Sequence, residues 1–153
     1  MYSKEEAAQI KKEFWTSYGR YMAPVLSAEG ITQNWINYST GIKHVFFRTQ
    51  FERKYAYAGI HIMHPDASLR SLLFLQFTRL KNILDEALQE EWVWEEQAID
   101  GFGKPYSRIY IELKNVSLYR KDDWPAVISF LKSRIIALDT FWNEVKDSFD
   151  AFR

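Results

Sequence analysis

The hydrophobic positions along the chain change from helical spacing to strict alternation and back, twice. Apolar side chains recur every three to four positions over residues 4–22, 68–89 and 124–152, which is the spacing of an amphipathic helix. Over residues 34–63 and 92–119 they occupy every second position, as in half-buried strands. The pattern therefore predicts the element order α-β-β-β-α-β-β-α.

The alternating segments are divided by short turns into five strands. The predicted strands are 34–38, 44–51, 55–63, 92–97 and 107–113. Parallel neighbours would need crossovers of about a dozen residues, so most of these strands must pair antiparallel. We predict an α+β fold in a single domain, residues 1–153, with a five-stranded, mainly antiparallel sheet and three helices.

The helix ends carry recognisable capping residues. Ser3 and Glu6 have the spacing of a capping box, and Pro24 should end the first helix because proline lacks an amide hydrogen. Asp66 is a good N-cap for the second helix. Asp123 and Pro125 suit the first turn of the third.

Composition adds an aromatic excess and removes several classes of chemistry. Aromatic residues make up 17% of the chain, so either the core is built from large flat side chains or some of them face a partner. Lysine plus arginine equals aspartate plus glutamate, at 20 each, which argues against a general electrostatic nucleic-acid binder but leaves room for a local patch. The absence of cysteine excludes disulfides and cysteine-based zinc sites.

The sequence predicts no association with membranes. The N-terminus is charged and amphipathic rather than an apolar signal sequence, and no segment approaches the ~18 consecutive apolar residues of a membrane span. A cytoplasmic location is the expectation for such a cysteine-free chain.

One set of residues suggests nuclease chemistry. Asp100, Glu112 and Lys114 follow the order of a PD-(D/E)xK site, in which two carboxylates hold a divalent metal and lysine supports the developing charge. Glu112 and Lys114 should share a strand face. However, no proline precedes Asp100, and its Asp-Gly turn explains it without a metal. A solvated strand face is the favoured interpretation.

Histidines offer a weaker hint of a metal. His61, His64 and Asp66 lie close in sequence, but an odd separation sends His61 and His64 to opposite faces of a strand. We therefore predict no metal site and no cofactor.

A surface of aromatic and arginine side chains is the more interesting candidate. Alternation places these residues on the sheet face opposite the apolar one: Phe46, Arg48, Tyr55, Tyr57, Arg108, Tyr110 and Glu112. Arginine beside exposed rings is typical of base stacking on single-stranded nucleic acid and of protein–protein hot spots. The alternative is that the first or third helix covers this face and the rings belong to the core.

Several motifs together resemble a known bacterial family. They are Asn34-Trp35-x-Asn37-Tyr38-x-Thr40-Gly41, Glu91-Trp92-x-Trp94-Glu95, Ser107-Arg108-Ile109-Tyr110, Asp123-Trp124-Pro125, Phe130-Leu131-Lys132, Leu138-Asp139 and Phe141-Trp142. As a set they resemble the domain of unknown function family DUF4268, over nearly the whole chain. Related domains follow a restriction-nuclease-like domain in longer proteins, so the resemblance implies an accessory role near nucleic acid. It supplies no established activity or site residues.

Three functions remain open from the sequence. The leading hypothesis is a non-catalytic cytosolic binding or interaction module that serves a DNA-processing or defence system. It would form a homo-oligomer, because of the aromatic excess and of Ile136, which lies outside the core stripe of its helix. Its partner would be single-stranded nucleic acid or another protein. The alternatives are a metal-dependent nuclease using Asp100, Glu112 and Lys114, and a small-ligand pocket between the sheet and the third helix, lined by tryptophan and tyrosine.

Overall fold

The computed structural model describes residues 2–153 and contains one antiparallel sheet and four α-helices. In chain order the elements are α1 Lys4–Met22, β1 Val45–Phe51, β2 Tyr55–Ile62, α2 Ala67–Arg79, α3 Lys81–Leu88, β3 Val93–Ile99, β4 Pro105–Lys114 and α4 Trp124–Val145. Two 3-10 helices, Lys121–Asp123 and Lys146–Phe152, flank α4. The predicted capping box at Ser3 and Glu6 is confirmed.

The prediction of five strands and three helices is wrong. The sheet has four strands, in the order β1-β2-β4-β3, and the element order is α-β-β-α-α-β-β-α. The class, α+β with an antiparallel sheet, stands.

Residues 34–38 form a loop instead of the first strand. The Asn34 side chain accepts hydrogen bonds from the amides of Ile36 and Asn37, at 3.2 and 2.9 Å. This local turn competes with sheet pairing for the same backbone. Trp35 and Tyr38 are nevertheless buried, and Trp35 Nε1 donates to the Val25 carbonyl at 2.9 Å. The alternation in this segment therefore reflects a packed loop.

The predicted second helix is divided at Leu80. Leu80 has φ −99° and ψ 10°, outside the helical range, and the helix that follows, α3, packs on α4. Just before the break, the Thr78 hydroxyl donates to the Phe74 carbonyl at 2.9 Å, a contact that bends helices.

All four helices pack on one face of the sheet. The β2 residues Ala56, Ala58, Ile60 and Ile62 are fully buried at the centre of this core. From α1, Phe14 packs on the sheet through Phe51, with ring centroids 4.8 Å apart. The opposite face therefore carries no helix. Within residues 2–153, no helix is both long and apolar enough to cross a membrane.

Candidate functional site

The helix-free side of the sheet, here called the open face, carries the side chains that alternate with the core positions. The strand register brings together Phe46, Arg48 and Gln50 of β1, Tyr55, Tyr57, Gly59 and His61 of β2, Tyr106, Arg108, Tyr110 and Glu112 of β4, and Val93 and Glu95 of β3.

Arg108 forms the centre of the open face. Its guanidinium lies 3.9 Å from the ring centroid of Tyr110 and 5.9 Å from that of Tyr57. The two rings stack on each other with centroids 5.3 Å apart. Arg108 Nε and Nη2 donate to the Glu95 carboxylate at 2.8 and 2.7 Å, which fixes the plane of the guanidinium. The result is a rigid stack of two rings and one cation.

A buried histidine, His61, contacts the Tyr57 end of this stack. The Tyr57 hydroxyl is 2.6 Å from His61 Nε2, and the Tyr106 ring packs against His61 with centroids 5.2 Å apart. Burial raises the pKa of Tyr57 well above its ordinary value. Burial, and then the positive charges of Arg48 and Arg108, lower the pKa of His61 to about 3. Both groups are therefore neutral at pH 7, and we assign the phenol as donor to Nε2.

Gly59 makes this close packing feasible. A Cβ at position 59 would lie 2.7 Å from the Tyr57 hydroxyl oxygen and 2.9 Å from its Cε1. Because the Tyr57 ring is held by His61 and Tyr110, it cannot move aside freely. We expect Gly59→Ala to lower the free energy of unfolding by about 2 kcal/mol, measured by urea denaturation.

Two further variants test this cause. Gly101→Ala, at a position where nothing lies within 4 Å of the new Cβ, should change stability by less than about 0.5 kcal/mol. In a Tyr57→Leu background, the added Gly59→Ala change should cost less than it does alone. An equal cost in both backgrounds would rule out the proposed clash.

The outer part of the open face is more accessible. Arg48 is exposed, and its guanidinium lies 4.4 Å from the ring centroid of Phe46, which is half-buried. Tyr55 and Tyr110 are also half-buried, whereas Tyr57 is only 2% exposed. Tyr57 thus supports the other rings from below.

The structure does not bring the nuclease candidates together. Asp100 lies in the β3–β4 turn, where its carboxylate accepts hydrogen bonds from the amides of Phe102 and Lys104 at 2.8 and 2.9 Å. Glu112 and Lys114 lie at the other end of β4, about 23 Å away at the usual rise of a strand. Among residues 2–153, no group of three acidic or histidine side chains is placed to hold a metal.

The histidines are likewise separated by the fold. His61 is buried on the open face, while His64 lies beyond the end of β2 and packs its ring 4.7 Å from that of His44. His64 Nδ1 accepts a hydrogen bond from the Asp66 amide at 3.0 Å.

The space between the sheet and α4 is filled by core side chains. Val127, Leu131, Ile135 and Leu138 are fully buried there. Ile136, the residue behind the oligomer prediction, is half-buried and packs against the core.

Tyr106 and Glu95, which contact the central residues of the site, were missed in the sequence. Tyr106 lies two positions before Arg108, so extending the alternation by one step would have found it. Glu95 pairs with Arg108 only through the β3–β4 register, which is interrupted by a shift between Glu95 and Ala98. No signal in the sequence sets that register.

Comparison with known proteins gives a family and no activity. The model of the family described as "Domain of unknown function (DUF4268)" matches residues 10–146. No curated protein and no solved structure matches the chain. Since the match covers most of the 153 residues, the chain belongs to the DUF4268 family.

Proposed function

We propose that the protein is a non-catalytic module that binds single-stranded nucleic acid on the open face of its sheet. The observation that carries the proposal is that all four helices pack on the opposite face, leaving a row of aromatic and arginine side chains uncovered. Sheets of this kind bind single strands by stacking bases on rings and guanidinium planes.

The arrangement of the rings supports stacking rather than core packing. Tyr110 is backed on one side by Tyr57 and carries the Arg108 guanidinium close to its ring. On β1, Phe46 and Arg48 form a second ring–cation pair. Tyr55 adds a half-buried ring on the central strand. Phe46 lies opposite His61 and Tyr110 opposite Gly59, while Tyr55 lies four residues farther along β2. A single strand that contacts all three rings would therefore pass Phe46, then Tyr110, then Tyr55.

The charges on the open face favour only modest affinity for single-stranded nucleic acid. Arg108 is paired with Glu95, whereas Arg48 forms no ion pair with any residue in the range 2–153. Few phosphates would be neutralised, so stacking supplies most of the binding energy and the salt dependence should be shallow.

Binding of a fluorescein-labelled 15-nucleotide oligodeoxythymidine tests the proposal. We expect measurable affinity by fluorescence anisotropy at low salt and a preference over duplex DNA. Tyr110→Ala should weaken binding by about tenfold, because one stacked base is worth about 1–3 kcal/mol. Arg48→Ala should weaken it less and reduce the salt slope.

The helical side of the protein provides matched controls. Tyr21→Ala and Lys12→Ala remove an exposed ring and an exposed cation from α1, and both should bind the oligonucleotide as the unaltered protein does. Absence of binding by the unaltered protein, or equal losses in Tyr21→Ala and Tyr110→Ala, would refute the proposal.

The wider role follows from the family resemblance and the composition. We place the protein in the cytosol, as an accessory to a DNA-processing or defence system. Self-association remains part of the proposal and is measured by light scattering, where a monomer at all concentrations would refute it. A nuclease is not proposed, because Asp100 lies in the β3–β4 turn and Glu112 lies near the far end of β4.

A further inference from the structure

The outer edge of β1 is only partly paired with the rest of the chain. The His44 carbonyl accepts from the Met63 amide and the Glu52 amide donates to the Tyr55 carbonyl, both at 2.8 Å. In an antiparallel pair, every second residue directs its backbone N–H and C=O groups towards the partner strand. These contacts show that the even-numbered residues of β1 direct theirs towards β2. The odd-numbered residues Val45, Phe47, Thr49 and Phe51 therefore direct their N–H and C=O groups away from the sheet.

Most of that outer edge is already covered. The Val45 carbonyl accepts from the Thr40 hydroxyl at 2.8 Å, and its amide donates to the Ile42 carbonyl. Ser39 forms an isolated antiparallel bridge with Phe46, which places residues 38–40 along the edge beside Phe47. Phe51 is fully buried. Thr49 is half-buried, and neither of its outward groups bonds to another residue in the range 2–153. The open stretch of the edge is thus centred on Thr49.

A groove of about 1060 Å³ follows this edge. One wall is formed by Lys11 and Trp15 of α1 and the other by the loop 36–44. Its volume is at the upper end of the range for ligand sites, and its length along β1 suits an extended chain.

The groove has an excess of positive charge. Lys11 at one end is paired with Glu52 at 3.0 Å. Lys43 and Arg48 are exposed and form no ion pair with any residue from 2 to 153. The occupant of the groove should therefore supply acidic side chains.

We propose that this groove binds an extended acidic segment of a partner protein, which pairs its backbone with Thr49 and places carboxylates beside Lys43 and Arg48. Strand addition of this kind takes affinity from main-chain hydrogen bonds and specificity from alternate side chains. The site lies along the edge of β1, so it goes beyond the proposed role of the open face, with which it shares Phe46 and Arg48.

A second copy of this chain fits the groove less well. Antiparallel pairing of two β1 edges about Thr49 would bring the Arg48 side chains of both copies together, and neither has an acidic partner among residues 2–153. The acidic edge strand β3 carries Glu95 and Glu96, but its register shift between Glu95 and Ala98 interrupts the regular edge that strand addition needs.

Nuclear magnetic resonance on the ¹⁵N-labelled full chain tests the proposal. The probe is an acetylated eight-residue peptide that alternates threonine with glutamate, compared with one carrying lysine in place of glutamate. We expect the glutamate peptide to shift the resonance of the Thr49 amide and to slow its hydrogen exchange at least tenfold. The lysine peptide should bind with at least tenfold lower affinity. An unchanged Thr49 amide at 1 mM glutamate peptide, or equal binding of both peptides, would overturn the proposal.

Two variants separate this site from the open face. Lys43→Glu should lower the affinity for the glutamate peptide at least fivefold and leave the affinity for oligodeoxythymidine unchanged. Thr49→Pro removes the outward amide, which makes no internal bond. In a chain that keeps its native spectrum, it should abolish the shifts that the glutamate peptide causes at the neighbouring Arg48 and Gln50 amides. Peptide binding unaffected by both variants would count against the groove. So would Thr49 protection that rises with protein concentration without peptide, because it would identify a second copy as the occupant.

Discussion

Replacing Asp139 by alanine is expected to lower the free energy of unfolding by about 3 kcal/mol. Asp139 lies on α4, is 5% exposed, and accepts hydrogen bonds from the Tyr38 hydroxyl at 2.5 Å and the Ala28 amide at 2.7 Å. Burial, and then the Asp139 carboxylate, raise the pKa of Tyr38, which therefore remains a donor. Alanine would leave the hydroxyl of the buried Tyr38 without its partner and would remove the acceptor of the Ala28 amide.

The conservative variant separates the hydrogen bonds from the charge. In Asp139→Asn, the amide oxygen can accept from the Ala28 amide and the amide nitrogen can donate to the Tyr38 hydroxyl, so we expect a loss below about 1 kcal/mol. Asp147→Ala, at an exposed position, should be neutral within about 0.5 kcal/mol. Urea denaturation followed by tryptophan fluorescence measures all three variants. A loss below 0.5 kcal/mol in Asp139→Ala would show that the loop 25–40 does not depend on this anchor.

Acid should destabilise the protein through His61. Its pKa is about 3 in the folded chain, against an ordinary value of 6.5 that applies after unfolding. The unfolded chain therefore binds a proton that the folded chain refuses, and stability falls as pH decreases from 6.5 towards 3. Protonation of His61 in the unfolded chain should lower the free energy of unfolding by roughly 2 kcal/mol between pH 7 and pH 5.

The His61→Gln variant identifies the source of the pH effect. Glutamine keeps a polar partner for Tyr57 and carries no proton, so it should be less stable at pH 7 but lose about 2 kcal/mol less on moving to pH 5. Both proteins carry the same carboxylates, whose effect on stability is therefore the same in each. The difference between their losses of unfolding free energy from pH 7 to pH 5, measured by urea denaturation, reports His61 alone. Identical losses in the two proteins, or a His61 ring that titrates near 6.5 by nuclear magnetic resonance, would contradict the assignment.

Local chemistry misled the sequence-based prediction of the fold in two places. The alternation at 34–38 suggested a strand, but Asn34 closes a turn on its own backbone and Trp35 anchors to Val25 across the loop. The helical period continued smoothly past Leu80, yet the helix is interrupted there, and α2 contacts the sheet while α3 packs on α4. Hydrophobic periodicity reports neither the local turn at Asn34 nor these tertiary contacts.

The candidate site was predicted in part, for a definable reason. Alternation correctly groups Tyr57 and Tyr110 on one face, because successive side chains of a strand point to opposite sides. It could not say that Tyr57 is buried and Tyr110 accessible, since that depends on Arg108, Tyr106 and His61 from two strands.

By itself, the sequence determined the α+β class, the β1–β2 and β3–β4 hairpins, the N-caps Ser3 and Asp66, and the family. These features depend on residues close together in the chain or on the motif set as a whole. Only the tertiary structure decided that all four helices share one side of the sheet, that β1 is an edge, and that Glu95 fixes Arg108. These features depend on strand order and register, which are set by the joint packing of side chains far apart in sequence.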